Sequence, residues 1–340
     1  MGQTYIWDRD PNFISDFLNF TDGFPRCAGD AVKTAEAAQW VLFYPKSVAY
    51  IGAFSGNSDI DDVIFSLQEM SLGHKIETKA KVKSSYQFVI RYGKRWSEVY
   101  IFDPKAADLS FGYINKPKVS NALERAQLIF ICAFSCLQMN MSLVRLAYFT
   151  SSRFKTLCIQ ICRGICLEEN NDMFLEILKY IDVLFVGKKK AQEMIKIFNI
   201  PCTWSTAKTN CLRIERWIKS LSKKPCNIIL YDTIKTVHVA TDYERDSVRT
   251  YHSKFYKASN IVDLYGCECA FSGGFLAQMI QRGEMEACVD CAFFCASAVA
   301  TQMGANFPIN RLELFSLWLN EFKDAEEEDK RKRNIFSSQT

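Results

Sequence analysis

In the stretch DLYGCECAFSGGFLAQM, Asp263 to Met279, a glycine-led turn runs into a helix pattern. From Ala270 onward the glycine pair Gly273-Gly274 would let that helix pack closely on its neighbours. A turn of this kind at a helix amino terminus gathers backbone N–H groups and can hold a phosphate. Here, however, Gly266 is followed by Cys267, Glu268 and Cys269. Two thiols and a carboxylate in that place ask whether the turn still works on a nucleotide or is a scaffold whose chemistry has gone.

Fourteen cysteines in 340 residues could instead mean metal chemistry, so their spacing matters. Cys158, Cys162 and Cys166 recur every four residues, Cys132 and Cys136 do likewise, and Cys288, Cys291 and Cys295 share one face of an expected helix. With only His74, His238 and His252 available, and no pair of Cys-x-x-Cys knuckles, the ligand spacing of a zinc site is missing. TLCIQIC reads as a buried strand, in which free cysteine behaves as a small hydrophobe. The thiols are therefore read as reduced core residues, and no metal is expected.

The elements that must position the turn are legible as alternating patterns. Strand candidates are SVAYIGAF, LIFICAF, TLCIQIC, VLFVG, NIILYDT and TVHVATD, rich in β-branched or aromatic residues and free of internal proline. Helical periodicity covers Asp30 to Phe43, Asp61 to Met70, Asn171 to Ile181, Ala191 to Phe198, Asn210 to Leu221, Ala270 to Gln281, Glu284 to Gln302 and Ile309 to Phe322. Apolar strands alternating with helices predict an α/β fold with a mostly parallel sheet covered on both faces. Such sheets bind ligands at the carboxyl ends of their strands. Residues 78–103 break the rhythm: polar and apolar residues alternate around Tyr92-Gly93-Lys94, which suits a small β-lid. The segment 324–340 passes from acidic to basic without apolar periodicity and is read as a flexible charged tail.

Composition bounds the function only loosely. A net charge of +4, with 49% hydrophobic and 24% charged residues, fits a globular protein and permits an anionic partner without demanding one. No run of about 18 apolar residues occurs, and the amino terminus lacks a basic-then-apolar leader. A cytoplasmic protein with no membrane partner is expected.

Ala270 to Pro308, AFSGGFLAQMIQRGEMEACVDCAFFCASAVATQMGANFP, resembles the carboxyl-terminal helices of ribokinase-type carbohydrate kinases, and among them adenosine kinases. AEAAQW, Ala35 to Trp40, resembles the helix after that family's substrate-binding glycine pair. YIDVLFVGKKKA, Tyr180 to Ala191, resembles one of its strands with the loop that follows. The resemblance implies a ribokinase-like three-layer α/β sandwich with a small β-lid. It divides the chain into a divergent amino-terminal segment, 1–27, a ribokinase-like domain, 28–323, and the tail, 324–340.

The resemblance also implies what phosphoryl transfer to a sugar hydroxyl would need. Its parts are an anion hole of backbone N–H groups, a carboxylate base and a polar shell for magnesium. The family's Gly-Ala-Gly-Asp loop aligns with Gly266-Cys267-Glu268-Cys269. Glu268 then brings negative charge against a triphosphate, and a thiol at Cys269, with an ordinary pKa of about 8.5, replaces the base. The family's Asn-x-x-Glu aligns with Gly187, Lys188, Lys189 and Lys190, its sugar-side glycine pair and asparagine with Ala28, Gly29 and Lys33, and its Thr-x-Gly with Tyr231-Asp232-Thr233. The usual first strand, with its ribose-binding aspartate, reads as truncated or absent. Four departures together suggest a catalytically inactive relative kept for its surface.

On that expectation the protein is a binding or regulatory factor. Basic residues interleaved with aromatics on the lid, Lys79, Lys81, Lys83, Arg91, Lys94 and Arg95, suit RNA. Lys188, Lys189 and Lys190 at a helix start and Lys330, Arg331, Lys332 and Arg333 in the tail add cations, so a ribonucleoprotein such as the ribosome is the expected partner, with no DNA. Two alternatives stand beside it: a protein-protein scaffold that keeps a nucleoside or nucleotide as a structural ligand, and a divergent but active ATP-dependent nucleoside or sugar kinase. No cofactor beyond such a ligand is expected.

Overall fold

Four apolar runs lie side by side as parallel strands: β6 (Leu128–Cys132), β7 (Thr156–Ile161), β8 (Val183–Gly187) and β9 (Asn227–Thr233). They pair in chain order, and β10 (Thr236–Ala240) and β11 (Val248–His252) extend the sheet antiparallel beyond β9. The structure is a computed structural model that describes residues 4–7, 29–56, 60–79, 86–92, 96–102, 109–132, 141–161, 171–201, 206–222, 224–241, 247–255 and 260–308. Ahead of the six-stranded sheet come β1 (Thr4–Trp7), α1 (Asp30–Leu42), β2 (Ala49–Ser55), α2 (Ile60–Glu69), β3 (Gly73–Lys79), β4 (Tyr86–Tyr92) and β5 (Trp96–Phe102). Around it run α3 (Phe111–Ile114), α4 (Pro117–Arg125), α5 (Met141–Ser152), α6 (Asn171–Leu178), α7 (Lys188–Ile197) and α8 (Ala207–Ser222). Two helices close the described chain, α9 (Cys267–Ile280) and α10 (Met285–Ala300).

Strand alternation sends side chains to two separate cores. Ile159, Leu184, Val186, Ile228 and Leu230 face one layer, where α4 to α8 contribute Val119, Phe174, Met194 and Ile214. Cys158, Val183, Phe185, Ile229 and Tyr231 face the other, covered by α1, α9 and α10. The result is a three-layer sandwich with a mixed, mostly parallel sheet. Parallel β2 and β3 form a separate ribbon over a small cluster of Val32, Leu67 and Leu72. β4 and β5 pair antiparallel from Tyr86↔Phe102 to Tyr92↔Trp96.

Several elements differ from the sequence reading, each for a physical reason. A short strand near the amino terminus was not expected: β1 runs parallel to β5, in register from Thr4↔Val99 to Trp7↔Phe102, in a three-stranded sheet with β4 and apart from the six-stranded sheet. β3 (GHKIETK) and the largely exposed edge strand β11 (VRTYH) carry too few apolar residues to announce themselves. α7 and α9 each begin three residues before the expected start, because their first turns hold lysines or a glycine-cysteine-glutamate sequence rather than apolar periodicity. The expected helix at Ile309 to Phe322 and the tail at 324–340 lie outside the described residues.

Helix α9 explains the glycine pair. It is apolar nearly all round because it is wedged between α1 and α10. A Cβ on Gly273 would lie 2.5 Å from Ala37 Cβ and 2.9 Å from Ala38 N in α1. One on Gly274 would lie 2.7 Å from Cys295 Sγ and 3.0 Å from Cys291 O in α10. Gly273→Ala would gain about 1 kcal/mol of helix propensity. It would also force α1 backbone aside at an overpacking cost of about 1–3 kcal/mol. Net destabilisation is expected, seen as a lower denaturation midpoint at unchanged m-value; a midpoint equal to or above that of the unsubstituted protein would refute the wedge.

Candidate active site

The turn entering α9 is shaped by one glycine and one buried carboxylate. Gly266, at the helix cap, has φ +81, the left-handed region that glycine occupies freely. A Cβ there would come within 3.0 Å of Ala305 Cα and closer still to Ala305 Cβ. Asp263, 5% exposed, accepts from Tyr265 N at 3.0 Å through Oδ1 and from Gly304 N at 3.1 Å through Oδ2, fastening the turn to the segment after α10. Ala270 N donates to Gly266 O at 2.9 Å, so helical bonding begins at Gly266, and no side chain caps the helix. First-turn N–H groups have no acceptor within their own helix, and the dipole adds partial positive charge there. Of these groups, Cys267 N donates to Leu264 O at 3.4 Å.

A second helix begins at the same spot. Asp30 stands in the first turn of α1, after Gly29 at φ +112. Asp30 lies near enough to Cys269 on α9 for its charge to act on the thiol. Burial first, then Asp30, Cys132 and Glu268, hold the Cys269 thiol well above its usual range. It therefore stays protonated, and the side chain at position 269 offers no base. Cys132 ends β6, and the Tyr231 hydroxyl near the end of β9 bonds Ser272 Oγ at 2.5 Å, so the turn sits over the carboxyl edge of the parallel strands. Lys33 is one turn along α1 from Asp30, its Nζ on Glu36 Oε2 at 2.8 Å.

Asp30 and Asp263 were not singled out from sequence. Asp263 carries no local signal. Asp30 carried a faint one, an acidic residue directly after the glycine of an expected helix start.

The positions aligned with the nucleotide side fall into two environments. Tyr231 belongs to the core: it is 5% exposed, stacks on Phe185 at 17° and meets Phe271 edge-on. Strand alternation turns its ring under α9, into the core rather than toward solvent. Asp232, one residue on, faces the other layer. Lys188, directly after the Gly187 cap of α7, donates to Asp232 Oδ1 at 2.7 Å, and His238 Nε2 lies 3.5 Å from Oδ2. His238 Nδ1 is 3.0 Å from Thr250 Oγ1.

This cluster titrates in a defined direction. Burial pushes His238 below its ordinary 6.5 despite the opposing pull of Asp232. Burial pushes Asp232 upward, but the hydrogen bond and charge of Lys188, with His238, outweigh it and hold the carboxyl below 3.8. A histidine with a depressed folded pKa binds fewer protons than in the unfolded chain, so stability falls as pH drops below about 6.5 and is flat above it. Asp232 adds a further loss only below about 4. His238→Asn is expected to flatten the melting-temperature profile between pH 7 and 5; an unchanged slope would show that His238 does not carry it.

The cations read as an RNA surface are placed unevenly. Lys188 is paired with Asp232, and Lys190 Nζ bonds Glu193 at 2.6 Å, while Lys189 is exposed. Two of the three lysines thus answer neighbouring carboxylates. Lys79 ends β3, and Arg91 lies on β4 with its side chain outside the description. Lys81, Lys83, Lys94, Arg95, Lys330, Arg331, Lys332 and Arg333 lie outside the described residues.

Nine cysteines are described, all buried and none in a disulfide. Burial raises Cys158, Cys211 and Cys226 and takes Cys288 to about 12, while a hydrogen bond with Cys295, then burial, raises Cys291. Among the described residues, no three His, Cys, Asp or Glu are grouped to hold a metal ion, and no helix is long and apolar enough to cross a membrane.

Residues 26–311 match the family model described as pfkB family carbohydrate kinase. The chain belongs to the pfkB family. Adenosine kinase of Saccharomyces cerevisiae is 23% identical to this pfkB-family chain over 292 residues, 84% of this chain and 80% of the yeast protein. Adenosine kinase 2 of Arabidopsis thaliana is 20% identical over 286 residues, covering 83% and 80%. An adenosine kinase structure from Schistosoma mansoni in complex with 2-fluoroadenosine gives a TM-score of 0.80 at 16% identity, covering 91% of this chain and 89% of that one. A ribokinase structure from Giardia lamblia gives 0.71 at 14%, covering 94% and 97%. The fold is therefore ribokinase-like.

These findings overturn the expectation of a catalytically inactive protein. The similar proteins named above are kinases, and family membership spans most of the chain. Cys269 stands where the family has a carboxylate, but the turn is not without one, since Asp30 on α1 lies near enough to act on that thiol.

Proposed function

We propose that this pfkB-family protein is a divergent ATP-dependent kinase that phosphorylates a hydroxyl of a nucleoside or sugar. The observation that supports it most is the glycine-led amino terminus of α9 at the carboxyl edge of the sheet. Its N–H groups suit the transferring phosphoryl group, whose charge is stabilised by positioned donors more than by covalent chemistry. The adenosine kinases among the similar proteins favour a nucleoside as acceptor.

Residues 187–190 do not fit a magnesium shell, since Lys188 places an ammonium there and pairs it with Asp232. Magnesium therefore belongs to the MgATP substrate in this reading. Purified protein given MgATP with adenosine, other nucleosides, ribose and other sugars should release ADP in step with one phosphorylated acceptor, separated by chromatography. ADP no higher than the acceptor-free control across that series would reject the proposal.

A further inference from the structure

We infer that the outward face of α5, led by Phe154, is the contact through which two copies of this chain pair about a two-fold axis. The starting observation is backbone strain in the open. α5 ends with Phe154 N on Ser151 O at 3.1 Å and Lys155 N on Thr150 O at 3.0 Å, a closure that puts Phe154 at φ +54. Glycine is the usual residue at that left-handed position, because a Cβ is strained there. The same pair of bonds closes α2 at Ser71, α7 at Asn199 and α9 at Arg282, each a polar residue. At α5 the residue is a phenylalanine, and it is 99% exposed. Its ring covers no core, so nothing within the chain offsets either the strain or the apolar surface left in water.

Phe154 has company. Arg145, Tyr148 and Ser152 form the exposed stripe of α5 that leads to it. Tyr148 is 62% exposed and sits edge-on to Tyr180 at 6.1 Å, while the Arg145 guanidinium lies 4.3 Å over the ring of Phe111. Aromatics and arginine are the residue types enriched in protein interfaces. Charge names the partner. Arg153 lies 3.4 Å from Glu124, and Lys179, next to Tyr180, pairs with Glu176. Both signs thus border the aromatics, so a strongly acidic or basic partner would meet a like charge in each pair. A second copy of the same face brings both signs: Arg153 of each chain can turn to Glu124 of the other, while Phe154 and Tyr148 cover one another across the axis. Phe154 comes two residues before β7, at the amino edge of the sheet, whereas the turn entering α9 lies at the carboxyl edge, so pairing leaves both turns open. The inference therefore does not depend on the kinase reading.

Sedimentation velocity of the full chain from about 1 to 100 µM tests it, the range expected of an interface smaller than the ~800 Å² per partner of a standard one. The unsubstituted protein should pass from monomer to dimer as concentration rises. Phe154→Gly should weaken the dimer by about 30-fold, the size of an aromatic hot spot, while its melting temperature when dilute stays level or rises, because glycine relieves the strain. Arg153→Glu and Glu124→Arg should each stay monomeric alone, since each sets like charges opposite one another across the axis. Mixed, the two variants should pair, since the mixture restores two opposite-charge contacts. A chain that is monomeric throughout that range, whether or not it binds another protein, would overturn the inference. So would a dimer that Phe154→Gly leaves at full strength, a dilute Phe154→Gly chain that melts lower, or a mixture that associates no better than its components.

Discussion

Glu268→Gln is expected to tighten MgATP by about 10- to 100-fold, the equivalent of about 1.4–2.8 kcal/mol. Glu268 stands in the first turn of α9, partly exposed, where a phosphate would meet the first-turn N–H groups. A carboxylate there gains about 0.3–1 kcal/mol from the helix dipole, which accounts for its presence in the free protein. The same charge opposes a triphosphate. Two unit charges ~6 Å apart at an effective dielectric of ~20 repel by about 2.8 kcal/mol, and solvent around a half-exposed side chain reduces that figure. Glutamine keeps the shape and removes the charge, so the comparison isolates electrostatics. Calorimetric titration with MgATP measures it directly, and the ratio between the two proteins should narrow as salt is added. Equal affinities at low salt would mean that the Glu268 carboxylate turns away from the nucleotide.

The fold was legible where burial imposes a simple rule. VLFVG and NIILYDT begin and end as strands where the apolar runs do, because central parallel strands are covered on both faces and tolerate little else. Edge strands obey a looser rule, and VRTYH, largely exposed and paired only with β10, escaped notice. The site was legible as a location and illegible as chemistry. Gly266 to Cys269 mark the turn in one dimension, but the carboxylate that meets Cys269 arrives from the start of α1, most of the chain away. Tyr231 shows what a linear reading omits: the two-residue period of β9 turns its ring into the core and leaves Asp232 to meet Lys188 and His238. Loss of a residue type at one position is thus weak grounds for loss of function when helices converge.

Gly266→Ala should be the most damaging single methyl in the turn, removing stability and phosphate binding together. Two costs act at once. A residue with a side chain at φ +81 sits in the left-handed region at about 1–2 kcal/mol. Its Cβ would also press on Ala305, whose Cα lies only 3.0 Å away, adding about 1–3 kcal/mol of overpacking. Neither partner can yield cheaply, because the Asp263 carboxylate accepts both from Tyr265 N within the turn and from Gly304 N, next to Ala305. Together these approach about 2–5 kcal/mol, a large part of the 5–15 kcal/mol that stabilises an ordinary domain. The chain can relieve the strain only by unwinding the first turn of α9, which scatters the N–H groups that would hold a phosphate. Chemical denaturation should therefore show the loss of stability, and calorimetry at a temperature where the variant is folded should show MgATP affinity falling as well. A variant as stable as the parent would mean that the left-handed cap at Gly266 is not what starts the helix, and the anion hole would have to be sought elsewhere on the sheet edge.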